Sequence, residues 1–111
     1  MTPIPPAVRG VLETLPRMKR CALAKMQDRY GPCEGRITKP EWHHVWTYAG
    51  RQIQRVWAIL AGCTRHHAMV QSDFNVARAF ERESLKLATD ADLAEFPRKP
   101  WARMKVSLGV Q

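Results

Sequence analysis

Apolar residues recur at Val8, Val11, Leu12 and Leu15, the i, i+3, i+4, i+7 spacing of one helical face, and predict a first amphipathic helix that Gly10 weakens and Pro16 bounds. A second helix is expected over residues 18–29, ending before the turn signal Tyr30-Gly31-Pro32. Residues 33–40 read as irregular, and residues 41–48, rich in aromatic and β-branched side chains, as a strand. Ala49-Gly50-Arg51-Gln52 then reads as a connection. The apolar run Val56-Trp57-Ala58-Ile59-Leu60 predicts a second strand, with Ala61-Gly62-Cys63 turning the chain.

Downstream, a helix is expected to begin at or just after His66-His67, pause near Gln71-Ser72-Asp73 and resume through Leu87. Ser72 or Asp73 would cap it, and Phe74, Val76, Phe80, Leu85 and Leu87 would supply apolar contacts. Thr89-Asp90-Ala91-Asp92 suits a further helix start, Pro97 and Pro100 break that helix, and residues 101–108 form a last one that packs Trp101, Met104 and Leu108. There is no internal repeat and no low-complexity tract.

At 111 residues with 45% hydrophobic side chains, the chain has the composition of one globular domain with a modest core. No apolar stretch approaches the ~18 residues that cross a bilayer, and Met1-Thr-Pro-Ile-Pro-Pro lacks the charged and apolar regions of a signal peptide. A cytoplasmic protein with no membrane partner is expected. Three cysteines in a reducing compartment argue against disulfides and leave metal ligation or plain burial.

The net charge of +8 is uneven, with ten basic against four acidic side chains up to Arg55 and eight against six after it. Arg17, Lys19, Arg20, Lys25, Arg29, Arg36 and Lys39 all precede the first histidine, a distribution that fits a polyanionic partner, nucleic acid foremost; a solvated basic face is the plain alternative. All four histidines fall in two doublets: His43-His44, framed as Trp42-His43-His44-Val45-Trp46, and His66-His67, closing Cys63-Thr64-Arg65-His66-His67. Imidazole is the commonest metal ligand and titrates near neutrality, so doublets beside a cysteine point to metal-assisted acid-base chemistry. Cys63 and His66 have a spacing that suits tetrahedral zinc.

Strand, connection, strand, Cys-x-x-His-His, helix, with a histidine doublet on the first strand, resembles the HNH endonuclease family and in particular small HNH-like proteins of phages and prophages. His43-His44 match the family's opening pair, and Cys63-Thr64-Arg65-His66-His67 its closing Cys-x-x-Cys-His segment with His66 in place of the second cysteine. The likeness covers roughly residues 20 to 70. It implies an α+β fold in which a β-hairpin plus helix (the ββα-metal core, residues 33–70) is flanked by a basic helical segment (1–32) and C-terminal helices (71–111), all in one domain.

The same likeness implies a metal-dependent phosphodiester hydrolase acting on nucleic acid, DNA in the first place. His43 and His67 would hold a divalent cation (Mg²⁺, Mn²⁺, Ni²⁺ or Zn²⁺) and His44 would be the general base. It also implies a structural Zn²⁺ on Cys63 and His66 with Cys33 and Cys21, although Cys21 reads equally as a small buried hydrophobe. On a regular strand, His43 and His44 point to opposite faces, so sharing one cation would need a twist or bulge. The family's central Asn falls near Ala58 here; Gln54 is the nearest amide, and Asn75 lies later, in the helix. Arg51, Arg65 and Arg36 are candidate phosphate contacts, with a solvent-facing Arg65 as the alternative. Trp42, Trp46 and Trp57 read chiefly as packing residues. The alternative to an enzyme is a catalytically silent, zinc-stabilised module that binds nucleic acid or a protein, for example to block a host defence; a protein partner or a homodimer stays open.

Overall fold

In the computed structural model, residues 3–110 are described; Met1, Thr2 and Gln111 lie outside the described residues. Helix α1 (Pro6–Thr14) forms as the periodicity predicts, with proline at its first turn, where no N–H is missed. It buries Leu12 completely, while Val11 stays about half exposed.

The helix expected over residues 18–29 does not form as one piece. Short 3₁₀ turns at Pro16–Lys19 and Ala24–Met26 and a single α-turn, α2 (Gln27–Tyr30), take its place, with Arg20 extended between them. A tertiary hydrogen bond overrides local propensity here: the Ala22 amide donates to the Ala61 carbonyl at 2.8 Å, drawing the chain alongside a strand and Cys21 into the interior.

The expected strand over residues 41–48 is bent. Strand β1 (Glu41–His44) pairs antiparallel with β4 (Ile59–Gly62), and β2 (Thr47–Tyr48) with β3 (Arg51–Gln52). Single bonds from Val45 N–H to Ala58 O and from Ile53 N–H to Trp46 O, both 2.9 Å, join the two pairs into one interrupted hairpin. Its tip is only Ala49-Gly50, both at positive φ (50° and 79°) as a tight two-residue turn requires, so Arg51 and Gln52 are strand rather than connection. Residues 54–57 loop out of the ladder, and Val56–Ala58 is a 3₁₀ turn rather than strand. Ala61 and Gly62, expected to turn the chain, instead complete β4. A Cβ at Gly62 would lie 3.2 Å from the Phe80 ring, so a side chain there would crowd that helix contact.

β4 is buried along its whole length and organises the core. Ile59 and Ala61 face the N-terminal segment, packing with Leu12 and Met18, whereas Leu60 faces the opposite way onto Val76, Ala79 and Phe80. After β4 come α3 (Thr64–Met69) and α4 (Phe74–Leu87), the latter capped by Asp73 through Asn75 and Val76 amides. Phe74 and Leu87, expected to pack, are exposed. α5 (Asp90–Ala94) starts with a Thr89–Asp92 capping box, and α6 (Trp101–Leu108) ends at left-handed Gly109. These helices close a second core around Trp46, Trp57, Leu85, Leu93 and Trp101, and Met104 packs on its margin. Trp46 Nε1–H donates to Ser84 Oγ, and Ser84 donates to the Trp57 carbonyl, so the loop at 54–57 is tied to α4. The architecture is α+β, two small antiparallel sheets among helices, and no helix of the described residues is long and apolar enough to cross a membrane.

Candidate metal centre and histidine groove

Cys21, Cys33, Cys63 and His66, far apart in sequence, bring their ligand atoms within 4.8 Å of one another. His66 Nδ1 is 3.2 Å from Cys63 Sγ, 3.6 Å from Cys21 Sγ and 3.7 Å from Cys33 Sγ. A tetrahedral zinc with sulfur at about 2.3 Å and nitrogen at about 2.0–2.1 Å needs N–S edges of about 3.5 Å, so the donor set fits that ion. Cys63 begins α3 as its N-cap, and its sulfur accepts from the His66 amide at 3.3 Å.

The tautomer of His66 follows from its surroundings. Its Nε2 lies 3.2 Å and 3.1 Å from the Tyr30 and Gly31 carbonyls, which only accept, and 3.2 Å from Arg65 Nη1, whose N–H groups are directed to the Tyr30 and Pro32 carbonyls. Nε2 therefore carries the proton and Nδ1 presents a lone pair to the sulfurs. Burial raises the Cys21 thiol above its ordinary value, opposed by the Cys63 and Leu23 amides. Burial, followed by the neighbouring Cys21 and Cys63 charges, pushes Cys33 up to about 12. Three sulfurs so placed need a cation to stay ionised together.

His43 and His67 meet on the other side of α3, with ring centroids 4.9 Å apart. His43 also sets its edge against Phe80 at 5.2 Å. Burial first, then the nearby His67 and His44, lower its pKa to about 4, so its imidazole is neutral at physiological pH. His67 Nδ1 donates to Glu41 Oε1 at 2.7 Å, and Thr64 Oγ1 donates to Glu41 Oε2 at 3.0 Å. These contacts, His67 foremost, hold the Glu41 carboxyl below its ordinary range. With Nδ1 as donor, the neutral tautomer of His67 keeps its lone pair on Nε2, as a metal ligand needs.

His44 lies opposite Ile59, while His43 lies opposite Leu60, so the two point to opposite faces of β1 and the ladder there has no bulge. Both nevertheless line one groove of about 770 Å³ with His67, Glu41 and Gln52, because the cavity wraps around the β1 edge that no strand covers among the described residues. His44 Nε2 donates to Gln54 Oε1 at 2.8 Å, which leaves His44 Nδ1 as its basic nitrogen. Arg9, Lys19, Arg36 and Lys39 line the same groove.

Of the arginines singled out in the sequence, Arg36 reaches this groove. Arg51 is exposed on β3 and is not among the lining residues. Arg65 braces the turn that leads into Cys33, donating to the Tyr30 carbonyl at 3.1 Å and the Pro32 carbonyl at 2.9 Å. Arg17 is likewise committed to the fold through the Val56 and Ile59 carbonyls. Glu41 is the groove side chain, paired with His67, that sequence reasoning missed. Its signal was position, two residues before His43 and therefore on the same strand face.

No protein-family model, curated protein or solved structure matches this chain.

Proposed function

We propose that the protein is a metal-dependent endonuclease of HNH type, hydrolysing phosphodiester bonds in nucleic acid, DNA foremost, and that it is phage- or prophage-encoded. The observation that carries this reading is the meeting of His43 and His67 in a cation-lined groove, each neutral or lone-pair-bearing, with His44 at the same groove's edge. A divalent cation held by His43 and His67 would supply charge neutralisation at the scissile phosphate. Arg36 and Lys39 would bind flanking phosphate oxygens. His44, fixed by Gln54, would take the proton from the attacking water at Nδ1. Glu41 would orient His67. The Cys21, Cys33, Cys63, His66 centre would hold Zn²⁺ as a structural ion.

Plasmid nicking across Mg²⁺, Mn²⁺, Ni²⁺ and Zn²⁺ tests this. Cleavage by the native protein and its loss in a folded His44→Ala variant is the expected result, and no cleavage under any of these cations would sink the proposal. Ala58 at the place of the family's central Asn favours the second reading, a catalytically silent module that binds nucleic acid or protein without cutting.

A further inference from the structure

On the side of α3 away from the histidine groove, Arg29, Arg65, Arg78 and Arg82 line a polar cavity of about 650 Å³. Its single acidic lining residue, Asp73, is already engaged as the cap of α4. Three of the guanidinium groups are held in place: Arg65 by the Tyr30 and Pro32 carbonyls, Arg78 by Ser107 through both its carbonyl (2.9 Å) and hydroxyl (3.1 Å), and Arg82 by the Tyr30 hydroxyl at 3.2 Å, with Glu83 more distant at 3.8 Å. Arg29 has no hydrogen bond or ion pair among the described residues. Four cations converging on one cavity repel one another, and a bound anion relieves that repulsion while meeting their free N–H groups.

A second feature says which anion. Phe74 stands between Asp73 and Asn75, both in the cavity wall, yet is 73% exposed. The Arg78 guanidinium sits 5.4 Å from its ring centroid. An exposed aromatic ring beside fixed cations is the pairing that unpaired nucleic acid uses, phosphate on the cations and base on the ring. We infer that this pocket binds a single-stranded segment of nucleic acid, with a backbone phosphate among Arg29, Arg65, Arg78 and Arg82 and a neighbouring base stacked on Phe74.

The inference rests on the nucleic-acid half of the proposed function and is independent of catalysis. Its test is fluorescence anisotropy of a labelled single-stranded oligonucleotide over a salt series, with no divalent cation added, on the wild type and on Phe74→Ala, Arg29→Gln and Arg78→Gln/Arg82→Gln variants. A duplex of the same sequence and inorganic phosphate, titrated by calorimetry, are the comparison ligands. Phe74→Ala should weaken single-strand binding about fivefold or more and leave duplex binding unchanged. The arginine variants should lower the salt slope by about 0.7 for each phosphate that is no longer neutralised. Arg29 and Phe74 brace no backbone, so they carry the test if the double variant does not fold. Wild-type affinity and slope in these two overturn the inference, and wild-type affinity together with a calorimetric phosphate signal reassigns the pocket to a small anion. Plasmid nicking by His44→Ala judges the nuclease reading separately, so either can fail alone.

Discussion

His66 and His67 are adjacent on α3, yet one is fully buried with its Nδ1 3.2 Å from Cys63 Sγ and the other opens into the groove with its Nδ1 2.7 Å from Glu41 Oε1. Successive helical residues are turned by about 100° around the axis, so whatever fixes the ring of His66 also fixes the direction of His67. A metal ion held by Cys21, Cys33, Cys63 and His66 would therefore set the rotation of α3 and, through it, the histidine groove.

It follows that metal removal should cost both fold and site. The purified protein is expected to carry one tightly held zinc per chain by elemental analysis. Cys63→Ser, or a strong chelator, should lower stability by several kcal/mol, because binding free energy at such a centre is folding free energy. Thermal unfolding with and without chelator checks it. A metal-free protein with an unchanged melting temperature would show the cluster to be simple packing.

Glu41→Gln keeps the size of the side chain and removes its charge. His67 then loses its ionised acceptor and the preference for the tautomer with a free Nε2. Cleavage and affinity for the activating cation should fall about 10- to 100-fold, the usual cost of losing such an orienting partner. Zinc content should not change, because Glu41 touches none of the four ligands. Loss of zinc in this variant would instead mean that the Glu41–Thr64 bond holds the start of α3.

Gln54 holds the imidazole of His44 directly, accepting from its Nε2 at 2.8 Å. Under the proposed function, Gln54→Leu should lower the turnover rate with little change in the substrate concentration for half-maximal rate, since it would disturb His44 as the base and not the groups proposed to bind phosphate. His44→Ala should remove cleavage altogether. A Gln54→Leu variant with wild-type turnover would show that packing alone orients the His44 ring.

The four cluster residues were legible in the sequence to different degrees. Cys63 and His66 are one helical turn apart, so local geometry alone pairs them. Cys21 and Cys33 join only because the Ala22 amide bonds to Ala61 and the Tyr30–Pro32 turn closes under Arg65, contacts of long sequence separation that no local pattern carries. The same Ala22 bond breaks the helix that periodicity predicts over residues 18–29. The first strand was recognisable, but its bend at Val45–Trp46 was not, because Trp46 leaves the ladder direction to reach Ser84 and Trp101 on helices far downstream. His43 and His44 point to opposite faces and still share a groove through the uncovered edge of β1, a property of the sheet and not of the doublet.

The depressed pKa of His43 makes a prediction whose sign can be worked out. In the unfolded chain this imidazole takes up a proton near pH 6.5, whereas in the folded protein burial delays protonation to about pH 4. Between those values the unfolded state binds more protons, so the free energy of unfolding is highest above pH 6.5, falls as the pH drops from 6.5 to 4, and levels off below. A shift of this size corresponds to about 3 kcal/mol at full burial, and to about 2 kcal/mol for a ring still partly open to the groove. Acid would also release a metal held by thiolates, so the informative quantity is the difference between the wild type and His43→Gln, which share the Cys21, Cys33, Cys63, His66 centre. Urea unfolding at several pH values should show the variant losing less stability than the wild type between pH 6.5 and 4. Parallel profiles would mean that the His43 ring is hydrated in solution, and so free to carry a proton at the pH where a metal ligand must be neutral.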